Sequence, residues 1–239
     1  MAGSFDFQQF SINQERSALK MGTDAVVLGA SMTLPLGREG ARLFDVGTGC
    51  GIIALMAAQR MAEAGKEWRV KAIDIDGPSV EDAVENFRNS PWAAQLDAEC
   101  TSLQHFHPDC PYDAIFANPP FFTDSLRNPD ARESCARHAT ALTYAEILSF
   151  AEENLSAGGT VSLILPAECE RELLRTAASF SFRPFRILRV RTTEEKPPKR
   201  IVAEFSAMAG NVREEEIVLQ DGSARTKEYS LLTESFYLK

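Results

Sequence analysis

The sequence predicts an α/β fold in which a mostly parallel sheet carries helices on both faces. Short apolar runs typical of buried strands alternate with segments of helical periodicity along most of the 239 residues. Such alternation indicates right-handed βαβ crossovers, which place successive strands parallel to one another. No linker, repeat or low-complexity tract interrupts the pattern. We therefore expect one domain over residues 1–239, in which residues 1–30 form an N-terminal extension.

The first half of the chain supplies four predicted strands and two predicted helices. Polar or glycine-rich residues follow three of these strands, as expected where a buried strand ends in a turn. A proline suits the first turn of the second helix, because that turn has N–H groups without helical partners. The strands are expected at Ala41–Val46, Val70–Ile75, Ala98–Leu103 and Tyr112–Ala117, and the helices at Ile52–Ala62 and Pro78–Asn89.

The second half continues the alternation and closes with a hairpin. A pair of glycines at 158–159 is typical of a helix end, and a polar turn separates the last two predicted strands. We expect helices at Thr143–Ala157 and Glu168–Phe180, a strand at Thr160–Leu165, and an antiparallel pair at Phe185–Thr192 and Arg200–Ser206.

The charge balance limits the classes of partner. Lys and Arg total 25 against 34 Asp and Glu, which gives a formal net charge of −9. This balance argues against a protein that coats nucleic acid nonspecifically, but it allows a local basic face. No segment reaches the roughly 18 consecutive apolar residues of a membrane helix. The N-terminal residues show neither a basic nor an apolar leader region. We expect neither membrane insertion nor secretion.

The cysteines indicate a reducing compartment. Five of them are scattered along the chain without a Cys-x-x-Cys pair, so we expect free thiols in a cytoplasmic protein. His105 and His107 lie near Asp109 and Cys110, but a second pair of ligands does not accompany them. We interpret this stretch as a solvated loop and expect no metal site.

A glycine-rich turn follows the first of the four strands. The run Asp45-Val46-Gly47-Thr48-Gly49-Cys50-Gly51 has the spacing G-x-G-x-G, whereas a dinucleotide pyrophosphate is seated by G-x-G-x-x-G. Glycines at these positions allow a tight turn and bring backbone N–H groups against a ligand. Asp45 would repel a phosphate but would accept a hydrogen bond from an ammonium group. A cationic cofactor that carries an amino acid suits this turn.

Two acids compete for a role at the end of the next strand. Asp74 comes near its carboxyl end, where a carboxylate can accept hydrogen bonds from both hydroxyls of a ribose. Asp76 lies directly before the predicted helix, and we interpret it as part of the helix N-cap.

Together, the glycine run and Asp74 resemble the S-adenosylmethionine site of class I, Rossmann-like methyltransferases. The resemblance implies a seven-stranded, mostly parallel sheet with an antiparallel C-terminal hairpin. It also implies that Asp45, Gly47, Thr48, Gly49 and Gly51 hold the methionine part of the cofactor and Asp74 its ribose. Many members place an Asp after the third strand to bind the adenine amino group. This chain has Ser102 there.

The tetrad Asn118-Pro119-Pro120-Phe121 follows the fourth strand. Two prolines fix the backbone and remove two N–H donors, so that carbonyl oxygens and the Asn amide oxygen are left as acceptors. Such acceptors suit an amino group conjugated to a ring or a carbonyl, and the Phe ring offers a face on which a planar base can stack. The alternative is a rigid turn that ends a strand.

The tetrad resembles the Asn/Asp-Pro-Pro-Tyr/Phe motif of amino-group methyltransferases. These include N6-adenine enzymes acting on DNA and RNA, N2-guanine enzymes acting on rRNA, and glutamine enzymes acting on release factors. The resemblance implies direct attack of the amino nitrogen on the sulfonium methyl group, with positioning and electrostatics supplying the rate.

Four further segments resemble one subfamily, the bacterial enzymes that methylate N6 of adenosine 37 in valine tRNA. They are residues 5–10, the run Lys20-Met21-Gly22-Thr23-Asp24 continuing to Ala30, residues 89–93, and residues 233–238. The resemblance implies that residues 1–30 cover the cofactor site and that Thr23 and Asp24 lie against the methionine end. An N-cap role for this pair stays open. So do two other functions, a release-factor or rRNA methyltransferase and a cofactor-binding domain without catalysis.

The hairpin strands form the most basic part of the chain. Residues 183–200 hold seven cationic and two acidic side chains, and seven minus two is a local charge of +5. We expect Lys196, Lys199 and Arg200, in and beside the turn, to contact tRNA phosphates while the enzyme acts as a monomer on the anticodon loop. Protection of a sheet edge by charge is the alternative interpretation.

Overall fold

A computed structural model describes residues 4–119 and 142–238. Its centre is an eight-stranded sheet in the order β10-β8-β9-β7-β6-β3-β4-β5. Two short antiparallel pairs, β1–β2 and β11–β12, lie outside that sheet. The strands are β1 (Ser4–Asp6), β2 (Ser11–Asn13), β3 (Ala41–Val46), β4 (Trp68–Asp74), β5 (Leu96–Cys100), β6 (Tyr112–Ala117), β7 (Leu155–Pro166), β8 (Arg183–Arg191), β9 (Arg200–Ser206), β10 (Arg213–Val218), β11 (Gln220–Asp221) and β12 (Ala224–Arg225).

Helices cover both faces of the sheet, as the sequence predicts. One face packs against the first three helices and the last, and the other face packs against the two between them. Within the described residues the helices are α1 (Thr23–Ser31), α2 (Ile52–Glu63), α3 (Gly77–Arg88), α4 (Tyr144–Asn154), α5 (Glu170–Ser179) and α6 (Lys227–Leu232).

The expected topology is confirmed, with one strand more than predicted. Strands β3 to β7 pair in parallel, and β9 runs antiparallel to both β7 and β8. The additional strand is β10, which pairs in parallel with β8 at the sheet edge. Its sequence begins Arg-Glu-Glu-Glu and lacks the alternating apolar pattern of a half-buried strand. Charged side chains of this kind protect an edge from further pairing.

Several element boundaries differ from the prediction. The third strand of the first half is Leu96–Cys100 rather than residues 98–103. Helix α4 ends at Asn154 instead of Ala157, because Leu155 already pairs with Tyr112 of β6. The predicted helix from Glu168 is divided into a 3-10 turn and α5, which begins at Glu170.

The first residues that the structure describes contribute to the core. Phe7, Phe10 and Ile12 are buried in the cluster on the α1–α3 face. Phe7 forms a β-bridge with Tyr237, and the two rings stack at 5.7 Å between centroids. The segments around Phe7 and Tyr237 therefore pack together on one face of the sheet.

Strands β3, β4 and β6 position the functional region. The chain enters the sheet at β3, adds β4 and β5 on one side, and then crosses to β6 on the other. The order reverses between β3 and β6, and ligands of open α/β sheets bind at such a reversal beyond the carboxyl ends of the strands.

In the described part of the chain, no helix is long and apolar enough to cross a membrane.

Candidate active site

A cavity of about 250 Å³ lies at this reversal. Five segments form most of its wall, and all but one of them follow a strand of the sheet. They are residues 18–22 before α1, residues 46–50 after β3, residues 73–76 around the end of β4, residues 101–104 after β5, and Asn118 after β6. The strand ends that the sequence singled out therefore meet in one place.

The turn after β3 depends on its glycines. Gly47, Gly49 and Gly51 have φ angles of 72°, 55° and 85°, in the left-handed region that glycine adopts most readily. At Gly51 a Cβ atom would stand 2.5 Å from Cε1 of Phe87, so this position also lacks room for a side chain. The turn delivers the chain directly into α2, whose N-cap is Gly51. Gly47, Thr48 and Gly49 line the cavity.

Asp74 connects the glycine turn to the end of β4. Its Oδ2 accepts a hydrogen bond from the backbone N–H of Gly49 at 2.8 Å, and its Oδ1 accepts one from the N–H of Asp76 at 2.9 Å. The half-buried carboxylate is thus held in one orientation on the cavity wall. The predicted ribose contact would use the remaining lone pairs of these oxygens. Asp76 itself caps α3 by accepting from the N–H of Ser79, which confirms its interpretation as an N-cap.

Asp45 lies beneath the glycine turn, fully buried, and is not part of the cavity wall. Its Oδ2 accepts hydrogen bonds from Thr48 Oγ1 at 2.7 Å and from the N–H of Ala54 at 3.2 Å. Burial raises the pKa of the Asp45 carboxyl to about 7, and the neighbouring charge of Asp74 acts in the same direction. Asp45 organises the turn and the start of α2. Its direct contact with an ammonium group stays a prediction.

Asn118 presents an unused acceptor at the end of β6. Its Oδ1 is buried and forms no hydrogen bond with the described residues, although the residue contributes to the cavity wall. A buried acceptor without a donor costs about 1–3 kcal/mol, so this atom is suited to a donor that a ligand brings. Pro119 follows and is buried. Pro120 and Phe121, the other two residues of the tetrad, lie outside the described residues.

The remaining predicted cofactor residues occupy different positions. Ser102 lines the cavity, and its Oγ lies 3.0 Å from Nδ1 of His105. The N-cap of α1 is Gly22, so Thr23 is the first residue of that helix and neither Thr23 nor Asp24 caps it. Instead, Asp24 Oδ2 forms an ion pair with Arg200 Nε at 2.7 Å. The roles of these residues toward a cofactor stay predictions.

The β8–β9 hairpin carries less unbalanced charge than the sequence suggests. Four of its arginines form ion pairs with acids outside residues 183–200: Arg186 with Glu204 and Glu215, Arg189 with Glu170 and Glu214, Arg191 with Glu216, and Arg200 with Asp24. Of the three residues predicted to contact tRNA, Lys196 and Lys199 are exposed. Because Arg200 pairs with the last residue of β7, the turn lies at the carboxyl edge, on the same side of the sheet as the cavity.

Sequence reasoning missed part of the wall. Residues 18–22 belong to the extension that was expected to cover the cofactor site, whereas Ile75 and Gln104, which also line the cavity, were not expected there. Ile75 was overlooked because it was the last residue of a predicted strand, and ligand-binding residues were sought only after the strand ends. Within the described wall, Lys20 is the one cationic side chain, and it donates to the carbonyl oxygens of Gln14, Glu15 and Ser17.

These residues fit S-adenosylmethionine. The wall offers a glycine turn, an oriented carboxylate at Asp74, and, at Asn118, a buried acceptor without a partner among the described residues. The lysine of the wall is occupied by three carbonyl groups, so a phosphate finds no free cation among the described wall residues. In the same part of the chain, no three potential metal ligands come together.

Comparisons with known sequences agree with this geometry. A family model described as "Methyltransferase small domain" matches residues 18–175. A protein from Bacteroides fragilis named tRNA1(Val) (adenine(37)-N6)-methyltransferase is 36% identical, with 98% of each chain covered. A protein of the same name from Photobacterium profundum is 34% identical, with 100% of each chain covered.

Solved structures show the same fold at low identity. A predicted O-methyltransferase from Agrobacterium tumefaciens has a TM-score of 0.66 and 15% identity, over 89% of this chain and 96% of that chain. TYW2 from P. horikoshii, solved in complex with MeSAdo, has a TM-score of 0.57 and 13% identity, over 84% of this chain and 69% of that chain.

A sheet of this order with a glycine turn at its reversal is the architecture of a class I methyltransferase, and S-adenosylmethionine is the methyl donor of that class. The near full-length relatives narrow the class further. The chain belongs to the methyltransferase small domain family and, within it, to the family of tRNA1(Val) (adenine(37)-N6)-methyltransferases.

Proposed function

We propose that this protein transfers a methyl group from S-adenosylmethionine to the N6 amino group of adenosine 37 in a valine tRNA. The observation that carries the proposal is the buried Oδ1 of Asn118, which lies at the end of β6 on the cavity wall and has no hydrogen-bond partner among the described residues. An exocyclic amino group supplies the N–H donor that this oxygen lacks. The names of the relatives support the choice of tRNA and of adenine 37.

When bound, S-adenosylmethionine supplies an electrophilic methyl group on a sulfonium. The chain positions the nucleophile. Asn118 Oδ1 and the carbonyl oxygen of Pro119 each accept one N–H bond of the amino group, which draws the nitrogen lone pair out of conjugation and orients it toward the methyl carbon. The family motif assigns stacking on the splayed-out base to Phe121, which lies outside the described residues. Because a buried strand holds both acceptors in place, the site needs little reorganisation when the reaction occurs.

The reaction needs no strong general base. The amino nitrogen would attack while it still carries both protons. As the new N–C bond forms, the bond between the methyl carbon and sulfur would break and its electron pair would stay on sulfur, which leaves as the neutral thioether S-adenosylhomocysteine. Only then would the nitrogen become strongly acidic. Acceptors on the enzyme can then pass the proton to water. This chemistry requires positioning rather than a proton-abstracting side chain.

The target base lies in a single-stranded loop of the tRNA. Adenosine 37 lies beside the anticodon, where a base can be splayed out at low cost. Lys196 and Lys199 lie in an exposed turn on the cavity side of the sheet, where they can contact the phosphates of the stem or loop. Arg200, at the base of the same turn and next to Asp24, contributes a third contact with these phosphates.

We also assign the cofactor contacts and the working state of the chain. Gly47, Thr48, Gly49 and Asp74 hold the cofactor as expected from the family, and Asp45 supports it through the turn that it organises. Gly51 shapes the turn, Thr23 and Asp24 support the methionine end, and Ser102 borders the adenine. The chain acts as a single-domain monomer in the cytoplasm. The free thiols of Cys50, Cys100, Cys110 and Cys169 favour that reducing compartment.

One experiment tests the assignment. The protein is incubated with methyl-labelled S-adenosylmethionine and, in separate reactions, with unmodified valine tRNA, release factor or rRNA, and the products are digested. N6-methyladenosine at position 37 of the tRNA is the expected product. Label in a release-factor glutamine or in N2-methylguanosine would replace the proposal with one of the related activities. A protein that binds the cofactor and labels none of the three would be a binding domain.

A further inference from the structure

Helix α3 carries a row of buried polar side chains. Ser79, Asp82 and Asn86 are 3%, 0% and 3% exposed and follow one another at spacings of three and four, so they share one face of the helix. Such a face is expected to be apolar when a helix packs on a core. Here it binds the backbone of residues 13–18, the segment that leads into the cavity wall. Residues 13–22 are called the strap below.

Asp82 uses both carboxylate oxygens on the strap. Its Oδ2 accepts from the N–H of Arg16 at 2.9 Å, from the N–H of Ser17 at 2.8 Å and from Ser17 Oγ at 2.8 Å. Its Oδ1 accepts from the guanidinium of Arg16 at 2.9 Å. Ser79 continues the row, because its Oγ accepts from the N–H of Ala18 at 3.3 Å.

Asn86 connects the strap to the glycine turn. Its Oδ1 accepts from the N–H of Asn13 at 2.7 Å, and its Nδ2 donates to the carbonyl oxygen of the same residue at 2.7 Å. The second proton of Nδ2 binds the carbonyl oxygen of Cys50 at 2.8 Å. One buried amide therefore holds two walls of the cofactor cavity at a fixed separation.

Apolar burial contributes little to the position of the strap. Apart from Ser17, every strap residue is half-buried or exposed, and Leu19 on the cavity wall is 74% exposed. Within the strap itself, the ammonium group of Lys20 donates hydrogen bonds to the carbonyl oxygens of Gln14, Glu15 and Ser17. The hydrogen bonds from α3 hold residues 13–18, and the side chain of Gln14, which accepts from the N–H of Met21 at 2.7 Å, connects that anchored part to the cavity wall.

We infer that Asp82 and Asn86 are positioning residues for the cofactor: they hold the strap as a preformed wall and so set the affinity for S-adenosylmethionine. The inference rests on the proposed function for the identity of the cofactor. Neither side chain lines the cavity, so both act through the backbone that they bind. A wall that is ordered before binding removes an ordering cost from the binding step. The methyl-transfer step, which depends on Asn118, is not affected by these residues.

The test uses isosteric variants of the full chain. Asn86→Asp replaces the donor to Asn13 and Cys50 by an acceptor, and Asp82→Asn replaces an acceptor of two backbone N–H groups by a donor or a weaker acceptor. Asn89→Asp is the matched control, because Asn89 is exposed on the end of the same helix. S-Adenosylhomocysteine is titrated calorimetrically without tRNA, and hydrogen exchange is followed at the amides of residues 13–18.

For each α3 variant we expect the Kd for S-adenosylhomocysteine to rise about tenfold or more, from the loss of preorganisation. The strap amides should exchange faster in the free protein and regain protection at saturating ligand. kcat at saturating S-adenosylmethionine should stay within about twofold of wild type, because positioning of the target amine is unchanged. The Asn89→Asp control should leave all three values unchanged.

Several outcomes would overturn the inference. An unchanged Kd with faster exchange would mean that the strap plays no part in binding, and a lower Tm with unchanged Kd would make the two residues purely structural. If either variant fails to fold, Ser17→Ala removes the hydroxyl bond to Asp82 Oδ2 at a residue that does not line the cavity, and an unchanged Kd for S-adenosylhomocysteine in that variant would count against the inference. Because ligand binding is measured without tRNA, the result does not depend on which substrate the enzyme methylates. The inference can therefore fail or hold independently of the proposed tRNA substrate.

Discussion

The carboxylate of Asp24 meets the guanidinium of Arg200 at 2.7 Å, across 176 positions of sequence. The pair joins the first turn of α1, at the cofactor side, to the first residue of β9, at the end of the basic turn. Both residues had been predicted to contact ligands, one the cofactor and the other tRNA. The ion pair therefore joins the two segments for which ligand contacts are predicted.

A double-mutant cycle measures the strength of this pair. Asp24→Asn, Arg200→Gln and the double variant are unfolded in urea, and the free energies of unfolding are compared. Both side chains are part-exposed, so we expect a coupling energy of about 0.5–1 kcal/mol at low salt and less at high salt. Additive effects of the two substitutions would mean that the pair contributes nothing to stability.

Gly51→Ala should destabilise the protein by about 2–4 kcal/mol, because it combines a left-handed backbone with a clash. The new Cβ would stand 2.5 Å from Phe87 Cε1. Gly40→Ala is the matched control, since Gly40 has a φ of 65° with nothing within 4 Å of the added atom. It should cost only about 1–2 kcal/mol. Equal decreases in the free energy of unfolding of the two variants, measured in urea, would show that Phe87 moves aside without an energetic penalty.

Asp45 should give the protein a component of stability that declines with rising pH. Burial raises its pKa in the folded chain from 3.8 to about 7. The folded state therefore retains a proton that the unfolded state releases, and this contribution is lost between about pH 4 and pH 7. Asp45→Asn cannot titrate. The free energy of unfolding of the variant, relative to wild type, should rise with pH across this window by up to about 4 kcal/mol. Parallel pH profiles of the two proteins would contradict the assignment.

Asn118→Ala should abolish most of the activity without weakening cofactor binding. Loss of one oriented polar group in a comparable site lowers kcat by about 10²–10³, so we expect a decrease of that size with the Kd for S-adenosylhomocysteine within about twofold. Asn118→Asp keeps an acceptor at the same place and should retain more activity than the alanine variant. Equal activities of the two variants, or loss of ligand binding in both, would remove Asn118 from its role.

The exposed turn offers a test of the tRNA interface. Reversing the charge of Lys196 and Lys199 together should weaken tRNA binding and reduce the slope of log K against log salt by about 1–2, one phosphate contact for each lysine. Arg183→Glu is the control, since Arg183 is exposed at the opposite end of β8. A similar loss in the control would indicate a general charge effect, and an unchanged salt slope in the double variant would exclude the turn from the interface.

Local patterns predicted the fold and much of the candidate site. The glycine turn and Asp74 were recognised because strand ends of a parallel sheet meet at one edge, and Asp76 was recognised as an N-cap from its place before a helix. The eighth strand was missed because three successive glutamates conceal its pairing with β8. The basic character of the hairpin was overestimated, because the acids that neutralise its arginines come from α1, α5, β9 and β10.

The sequence by itself determined the class of fold, the position of the glycine turn and the tetrad after β6, since each depends on residues within a few positions of one another. Tertiary structure decided which charges are neutralised, that Asp45 lies beneath the turn, and that the polar face of α3 holds the strap. These features depend on partners such as Asn13 and Asn86, which are 73 positions apart. No local periodicity records a contact of that range. The net charge of −9 is likewise a property of the whole chain, and only the fold shows where its lysines stand exposed.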